Sequence, residues 1–370
     1  MMSITANKGE HSETLVFLRI LHEGAVKVAD KLGEPGRSRL KVAAVQRPSD
    51  PSVKFHIQDE MIHVVDIAGK EILAVPRQAV KGLADELYAQ ILQSKGASFI
   101  CSASDSAFEL LRLVGAKAAS ASKSDLHLDV CSPVFEGELL SLGFSVKSEL
   151  GGLPTLLNAG ATQFQYRVED CPAEDALAVQ ETTPRSSGKD YPGPMRLLPA
   201  LGHSRARVVF ESVVNPVFEQ NLKMIDTAFP RILASTLLHA YTSGDLSLDG
   251  AVDCPALLDD LSEVLSLPRP MVVRLLRHKM KELLRQSALG MNPGRQWEGQ
   301  TEAHGGWLVV KADGSVVCFH VINDDDFRDY LLANTKFDTP SMSRHEAGYL
   351  YRQEGDAKAR LRLSLQVRFK

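Results

Sequence analysis

The sequence predicts an α+β fold, in which helices and strands occupy separate stretches of the chain instead of alternating in βαβ units. Three observations carry this reading. A helical run opens the chain. Short segments of period-two alternation fill much of residues 40–168. Helical spacing then returns over 217–287, before a second strand-rich part closes the chain. We read residues 1–170 as one domain with an N-terminal helix and a small strand-rich insertion. Residues 171–204 read as a linker or mobile loop, and 205–370 as a helical and β-hairpin region.

Residues 9–32 read as the first helix, because Leu15, Leu18, Leu21 and Ala25 recur at helical spacing and Gly33 with Pro35 ends the run. Between 40 and 75, KVAAVQ, VKFHI, IHVVDI and EILAV read as short strands separated by Pro, Asp and Gly. A helix over 77–95 turns Val80, Leu83, Leu87 and Ile91 inward, and another covers roughly 104–115. From 125 to 168 the alternation in LHLDV, GFSVKSEL and FQYRV predicts a strand meander with a loop. TTPRSSGKDYPGP is the turn-rich core of the expected linker, and RVVFESVV is one more strand. The helices of 217–287 break near Ser243–Gly244, Gly250 and Pro268. GGWLVVKADGSVVCFHV is a hairpin turning at Asp313–Gly314. DDFRDYLLANT is a short helix, and AGYLYRQ and ARLRLSLQVRF are closing strands that meet around Glu354–Asp356.

Composition excludes several classes. A hydrophobic fraction of 44% with 24% charged residues is ordinary for a globular chain and unlike a disordered or coiled-coil one. No apolar run approaches the ~20 residues that span a bilayer. The first residues lack the apolar core of a signal peptide, so a cytoplasmic protein is expected. The five cysteines are scattered and form no CxxC, which argues against a zinc site or a disulfide framework. The formal charge of −4 seems to disfavour a nucleic-acid partner, but it is unevenly placed. Six acids and no base lie between Asp245 and Glu263, while Arg269–Arg285 holds six bases against one acid. These two stretches either pair with each other or leave a basic surface for phosphates.

The segment at 123–152 carries the chemistry. Asp125 opens one strand, and Ser145 and Lys147 share a face of the next, so strand pairing can bring Asp125 and Lys147 to one spot. Phosphodiester hydrolysis needs carboxylates to hold a divalent cation, a positioned water and a nearby cation for the developing charge. Asp125 suits the first role and Lys147 the others. This is the layout of a PD-(D/E)XK nuclease core, a mixed sheet flanked by helices. Ser145 stands where Glu or Asp is usual. Compensation is expected from Glu10 and Glu13, three apart on one face of the first helix, or locally from Glu149, with Asp129 a further possible ligand. His11 and His127 lack partners at zinc-motif spacing and read as surface or packing residues.

With these residues in view, the chain resembles the HpaII family of type II restriction endonucleases. The resemblance runs in order through NKGEHSETLVFLRIL, SDLHLDV, GFSVKSELGGLPTLLNAGATQF, ALGMNPGRQWEGQTEAHGGWLVVKADGSVVCFHV, DYLLANTKFDTPSMSRH and LSLQVRF, and is loose only over about 30–120. It implies Mg2+ dependence, double-stranded DNA as substrate, a short palindromic site such as CCGG, 5′-phosphate ends and a cognate DNA methyltransferase as genetic partner. By position it implies a catalytic set of Asp125, Lys147, Ser145, Glu10 and Glu13, with the metal on Asp125, Glu13 and Glu10. His11 departs from the family, which tends to have Trp there, and this puts a packing contact of the first helix in question. A palindrome cut on both strands suggests a homodimer or a monomer acting in succession. For DNA contacts, Thr155, Asn158, Thr162 and Gln163 offer small polar groups beside the lysine strand. Arg295, Lys336 and Arg344 offer cations for guanine edges or phosphates, and the helical and C-terminal β-rich part is the expected DNA-recognition region. Trp297 and Trp307 read as packing residues. The missing acid at 145 also leaves two rivals open: a DNA-binding protein with a degenerate nuclease site, and a defence or repair nuclease without restriction specificity.

Overall fold

The computed structural model describes residues 4–113, 124–131, 138–152, 154–185, 189–301, 303–320 and 324–370. In chain order the elements begin with β1 (Thr5–Ala6), α1 (Lys8–Glu23), β2 (Ala25–Ala29), β3 (Pro35–Arg47), β4 (Asp50–Gln58), β5 (Met61–Asp66), β6 (Glu71–Pro76), α2 (Arg77–Gln93), β7 (Phe99–Ile100), α3 (Ser102–Leu110), β8 (Leu126–Cys131) and β9 (Leu139–Ser148). They continue with β10 (Thr155–Leu157), β11 (Gln163–Glu169), α4 (Ala173–Thr182), α5 (Pro194–His203), β12 (Arg207–Val213), α6 (Pro216–Ile225), α7 (Phe229–Ser243), α8 (Leu248–Val252), α9 (Pro255–Leu265) and α10 (Arg269–Leu289). The chain closes with β13 (Gly306–Val310), β14 (Val316–His320), α11 (Asp324–Asn334), β15 (Thr335–Phe337), α12 (Met342–His345), β16 (Leu350–Arg352), β17 (Ala359–Ser364) and β18 (Val367–Phe369). Helices and strands are both abundant and largely segregated, so the α+β class holds. No described helix is long and apolar enough to cross a membrane, and all five cysteines are free thiols.

Two compact units divide the chain, one of residues 1–154 with 301–330 and the other of 155–300 with 331–370. The first holds a mixed nine-stranded sheet in the order β2-β14-β13-β9-β8-β3-β4-β5-β6. The β9–β13 and β14–β2 pairs are parallel and the rest antiparallel. Strand β2 also pairs with the first half of β3, so the pairings of β2, β14, β13, β9, β8 and β3 close into a ring. Helix α1 supplies Leu15, Phe17, Leu18 and Leu21 to the core, where Phe17 meets Phe55 edge-on at 5.0 Å.

The first helix is shorter than its apolar spacing suggested. Asn7 and Glu10 form a reciprocal capping box at its start, and Gly24, at φ 62°, ends it in a left-handed cap. Residues 25–29 then run as β2, because Val26 and Ala29 are buried in a strand and not on a helical face. The helix expected at 104–115 covers Ser102–Leu110; residues 114 and 115 lie outside the described residues.

The second unit contains an antiparallel four-stranded sheet, β12-β11-β17-β16, and a three-stranded sheet, β10-β18-β15. Helix α7 lies buried in this unit, and Tyr166 of β11 donates from its hydroxyl to the Ala234 carbonyl of that helix at 2.9 Å. The turn-rich stretch at 171–204 differs from the linker expected there. Pro172 precedes α4, Pro194 begins α5, and turn-like chain is confined to the residues between them, of which 186–188 lie outside the described residues. The acid and base runs of α8–α10 meet one another. Arg277 binds Asp253 through two contacts of 2.8 Å and Arg269 reaches Asp259 at 3.1 Å, while Lys279 pairs at 3.1 Å with Asp226, which lies outside the acid run.

Candidate active site

Strand β9 lies between β8 and β13, and its alternation decides which side chains face the site. Phe144 and Val146 enter the core, while Ser145 and Lys147 point to the opposite face. Asp125 stands one residue before β8 and is fixed by a backbone bond from its N–H to the Phe144 carbonyl at 2.8 Å. Its Oδ2 accepts from the Val146 amide at 2.7 Å and from the Ser145 hydroxyl at 3.1 Å. The Lys147 ammonium in turn donates to Ser145 Oγ at 3.0 Å. Serine at this position therefore has a use that a carboxylate lacks, because its hydroxyl accepts from the lysine while donating to the aspartate.

Helix α1 brings the next acid. Glu13 is partly buried and its carboxyl is pushed up to about 8, first by loss of solvent and then by the negative charge of Asp125. Arg47 and Lys147 pull in the other direction. Glu10, one turn earlier, is the capping residue: its Oε2 accepts from the Asn7 amide at 2.9 Å. It adds to the negative field at Glu13. Hydroxyls of Ser12 and Ser148 bond at 2.8 Å and tie α1 to β9, which holds Glu13 in place.

The other acids considered from sequence are engaged elsewhere. Asp129 pairs with Lys54 at 2.5 Å. Glu149 accepts from Lys311 at 2.9 Å and from the Ala312 amide at 3.1 Å. His11 is buried with its ring 4.6 Å from that of Phe99 and Nε2 at 3.2 Å from the Phe99 carbonyl, a packing role. His127 is half-buried, and burial with the neighbouring His304 lowers its pKa.

Two residues of the site had no sequence assignment to it. Trp307 is paired in register with Ser145 on β13, and the Lys147 ammonium sits 5.3 Å from its ring centroid. The indole is buried as expected, but it also shields the lysine from water on one side. Arg47 is buried against the rings of Phe17 and Phe108 at 5.6 and 5.0 Å, near enough to Glu13 to oppose its protonation. Neither residue belongs to a local motif. Only the β9–β13 register and the meeting of β3 with α1 reveal them.

Among the described residues no group of three or more His, Cys, Asp or Glu side chains forms a complete metal cage. Two neighbouring carboxylates, one of them raised to about 8 first by burial and then by the charge of the other, are nevertheless a donor set that suits a hard divalent cation. Mg2+ commonly takes one or two protein carboxylates and completes its shell with water and substrate phosphate.

All seven candidate DNA-contact residues belong to the second unit. Thr155 and Lys336 are brought into one row, on either side of Arg368 in the three-stranded sheet. Gln163 lies on the four-stranded sheet, its amide bonded to the His345 carbonyl. Asn158, Arg295 and Arg344 are exposed and separate from that row, on a loop before a 3-10 turn, a second loop and α12. Thr162, by contrast, is fully buried and bonds the Leu365 carbonyl.

A family model described as HpaII restriction endonuclease matches residues 7–369. The type II restriction enzyme HpaII of Haemophilus parainfluenzae is 30% identical over 99% of this chain and 98% of its own length. No solved structure matches the chain. The chain thus belongs to the HpaII restriction endonuclease family and is a type II site-specific deoxyribonuclease acting on double-stranded DNA.

Proposed function

We propose that this enzyme is a magnesium-dependent PD-(D/E)XK nuclease that cuts within a short palindrome, with CCGG the site suggested by family resemblance, and leaves 5′-phosphate ends. The observation that carries the reading is the contact chain Asp125–Ser145–Lys147, with Glu13 set against Asp125 by α1. Asp125 and Glu13 would hold Mg2+. A cation bound there supplies charge neutralisation for the phosphorane-like transition state and a water of lowered pKa. Lys147 orients that water and places positive charge beside the developing charge of the scissile phosphate. Ser145 fixes the lysine and the aspartate relative to each other. Trp307 and Arg47 limit water and set the field around them. Glu10 acts through α1 by capping it.

Cutting both strands of a palindrome calls for a homodimer or a monomer acting in succession, and a DNA methyltransferase of matching specificity would protect the host. The test is incubation of the full chain with plasmid DNA and Mg2+, followed by sequencing of the ends. Discrete fragments with a common site support the proposal. A smear would point to a nuclease without restriction specificity, and intact DNA with a gel shift to a degenerate site. Asp125→Ala and Lys147→Ala should retain the gel shift and lose cleavage. Wild-type cutting rates in either variant would sink the assignment.

A further inference from the structure

The four-stranded sheet of the second unit has one apolar face and one polar face. Phe164, Tyr166 and Val168 of β11 and Leu361 and Leu363 of β17 are buried. The alternate residues form a polar face in strict register: Gln165 opposite Arg362, and Arg167 opposite Arg360, with Tyr351 of β16 beside Arg360. This face is rich in guanidinium, amide and phenol groups, the side chains that read and grip nucleic acid.

Most of its cations are already neutralised. Arg360 bonds Glu211 at 2.9 Å and also contacts Asp356, Arg167 bonds Glu169 at 2.6 Å, and Arg207 bonds Glu169 and Asp170 at 3.0 and 3.1 Å. Arg362 differs. Among the described residues it has no carboxylate partner. Its guanidinium carbon lies 5.1 Å from the Tyr351 ring centroid, and its one side-chain hydrogen bond runs from Nε to Gln165 Oε1 at 3.4 Å. Gln165 is itself locked, accepting from the Tyr351 hydroxyl at 2.8 Å and donating to Glu211 at 2.9 Å. Arg362 is therefore stacked, held at its Nε, and left with both terminal nitrogens for an outside acceptor. A planar fork with two parallel donors matches O6 and N7 of guanine in the major groove.

We propose that this sheet face is the DNA-reading surface and that Arg362 is a specificity-determining residue recognising guanine, with Gln165 and Tyr351 positioning it. The assignment rests on the proposed cleavage at a G·C-containing site, and its test is separate from cleavage. Full-length protein with Ca2+ in place of Mg2+ selects from duplexes with a randomised core, and the bound pool is sequenced. Wild type should enrich a motif containing guanine. Arg362→Lys keeps the charge and loses the fork, so preference at one base pair of each half-site should fall by about 5- to 150-fold while the other positions persist. Arg207→Ala, which leaves the Glu169 and Asp170 carboxylates without that partner on the same face, should instead weaken all sequences together. The inference is overturned if Arg362→Lys enriches the same motif with the same strength, or if the wild-type motif contains no G·C pair. Failure of the nuclease proposal would appear instead in the plasmid assay with Mg2+, as intact or smeared DNA, whatever motif is bound.

Discussion

Two charged regions of this molecule differ in sequence and behave oppositely in the fold. In α8–α10 a run of acids precedes a run of bases, and the fold sets opposite signs against each other, as in Arg277 with Asp253 and Arg269 with Asp259. Around β9 there is no run at all, yet the fold crowds Glu13 against Asp125 and pushes the Glu13 carboxyl up to about 8. The difference teaches that burial of one acid near another marks a site better than cluster size along the chain does. A structural ion pair is satisfied before any ligand arrives.

The largest expected effects break the site side of the comparison. Asp125→Ala and Lys147→Ala should each reduce cleavage by about 10^3-fold or more, since each removes charge stabilisation specific to the transition state. Single-turnover cleavage of a one-site duplex measures this. Glu13→Gln should also suppress cleavage strongly, and it carries a stability signature of known sign. The folded pKa of Glu13 is raised, so its contribution to stability is full below the unfolded value near 4.5 and is lost as pH rises toward about 8. Metal-free Glu13→Gln should thus match wild type near pH 4 and exceed it at pH 8.5, by on the order of 4 kcal/mol in thermal or denaturant melts. Equal stability of the two proteins at both pH values would mean that burial and the charge of Asp125 do not raise the Glu13 carboxyl. For the wild-type enzyme at limiting Mg2+, cleavage should rise with pH up to about 8, and added Mg2+ should move the midpoint lower, because the cation displaces the Glu13 proton.

Ser145→Ala should have an intermediate effect, about 10- to 100-fold on kcat, because it removes the bridge between Asp125 and Lys147 but leaves both groups present. A loss as large as that of Lys147→Ala would make the serine a direct participant.

Much of this was legible before the fold. Strand alternation placed Ser145 and Lys147 on one face, and the pairing of β8 with β9 brought Asp125 to them. Spacing on α1 put Glu10 and Glu13 forward together, and only the capping box separates their roles, because Asn7 engages the Glu10 carboxylate. The C-terminal limit of α1 was misjudged because apolar spacing continues past Gly24, whereas the left-handed conformation at that glycine stops the helix. Arg47 and Trp307 were invisible as site residues for a different reason. They reach the cluster through β3 and β13, and contacts between distant segments leave no periodic trace. Arg362 is a similar case, since among the described residues it lacks the carboxylate partner that the neighbouring arginines of the sheet possess.

The smallest expected effect tests the other side of the comparison. The Arg277–Asp253 pair is largely solvent-exposed, and such pairs contribute about 0.2–1 kcal/mol. Arg277→Ala and Asp253→Ala should therefore each cost little stability, and the double variant should cost less than the sum of the two. Neither should alter DNA affinity appreciably if the two helices neutralise each other. A phosphate-gripping α10 predicts something else. Arg277→Ala would weaken binding to every duplex and lower the slope of log K against log salt by about one, while Asp253→Ala would strengthen binding by freeing the arginine. Salt titrations of fluorescence anisotropy with wild type and both variants separate the two outcomes. Opposite shifts in the two variants would move α10 from a self-compensated pair to part of the DNA surface.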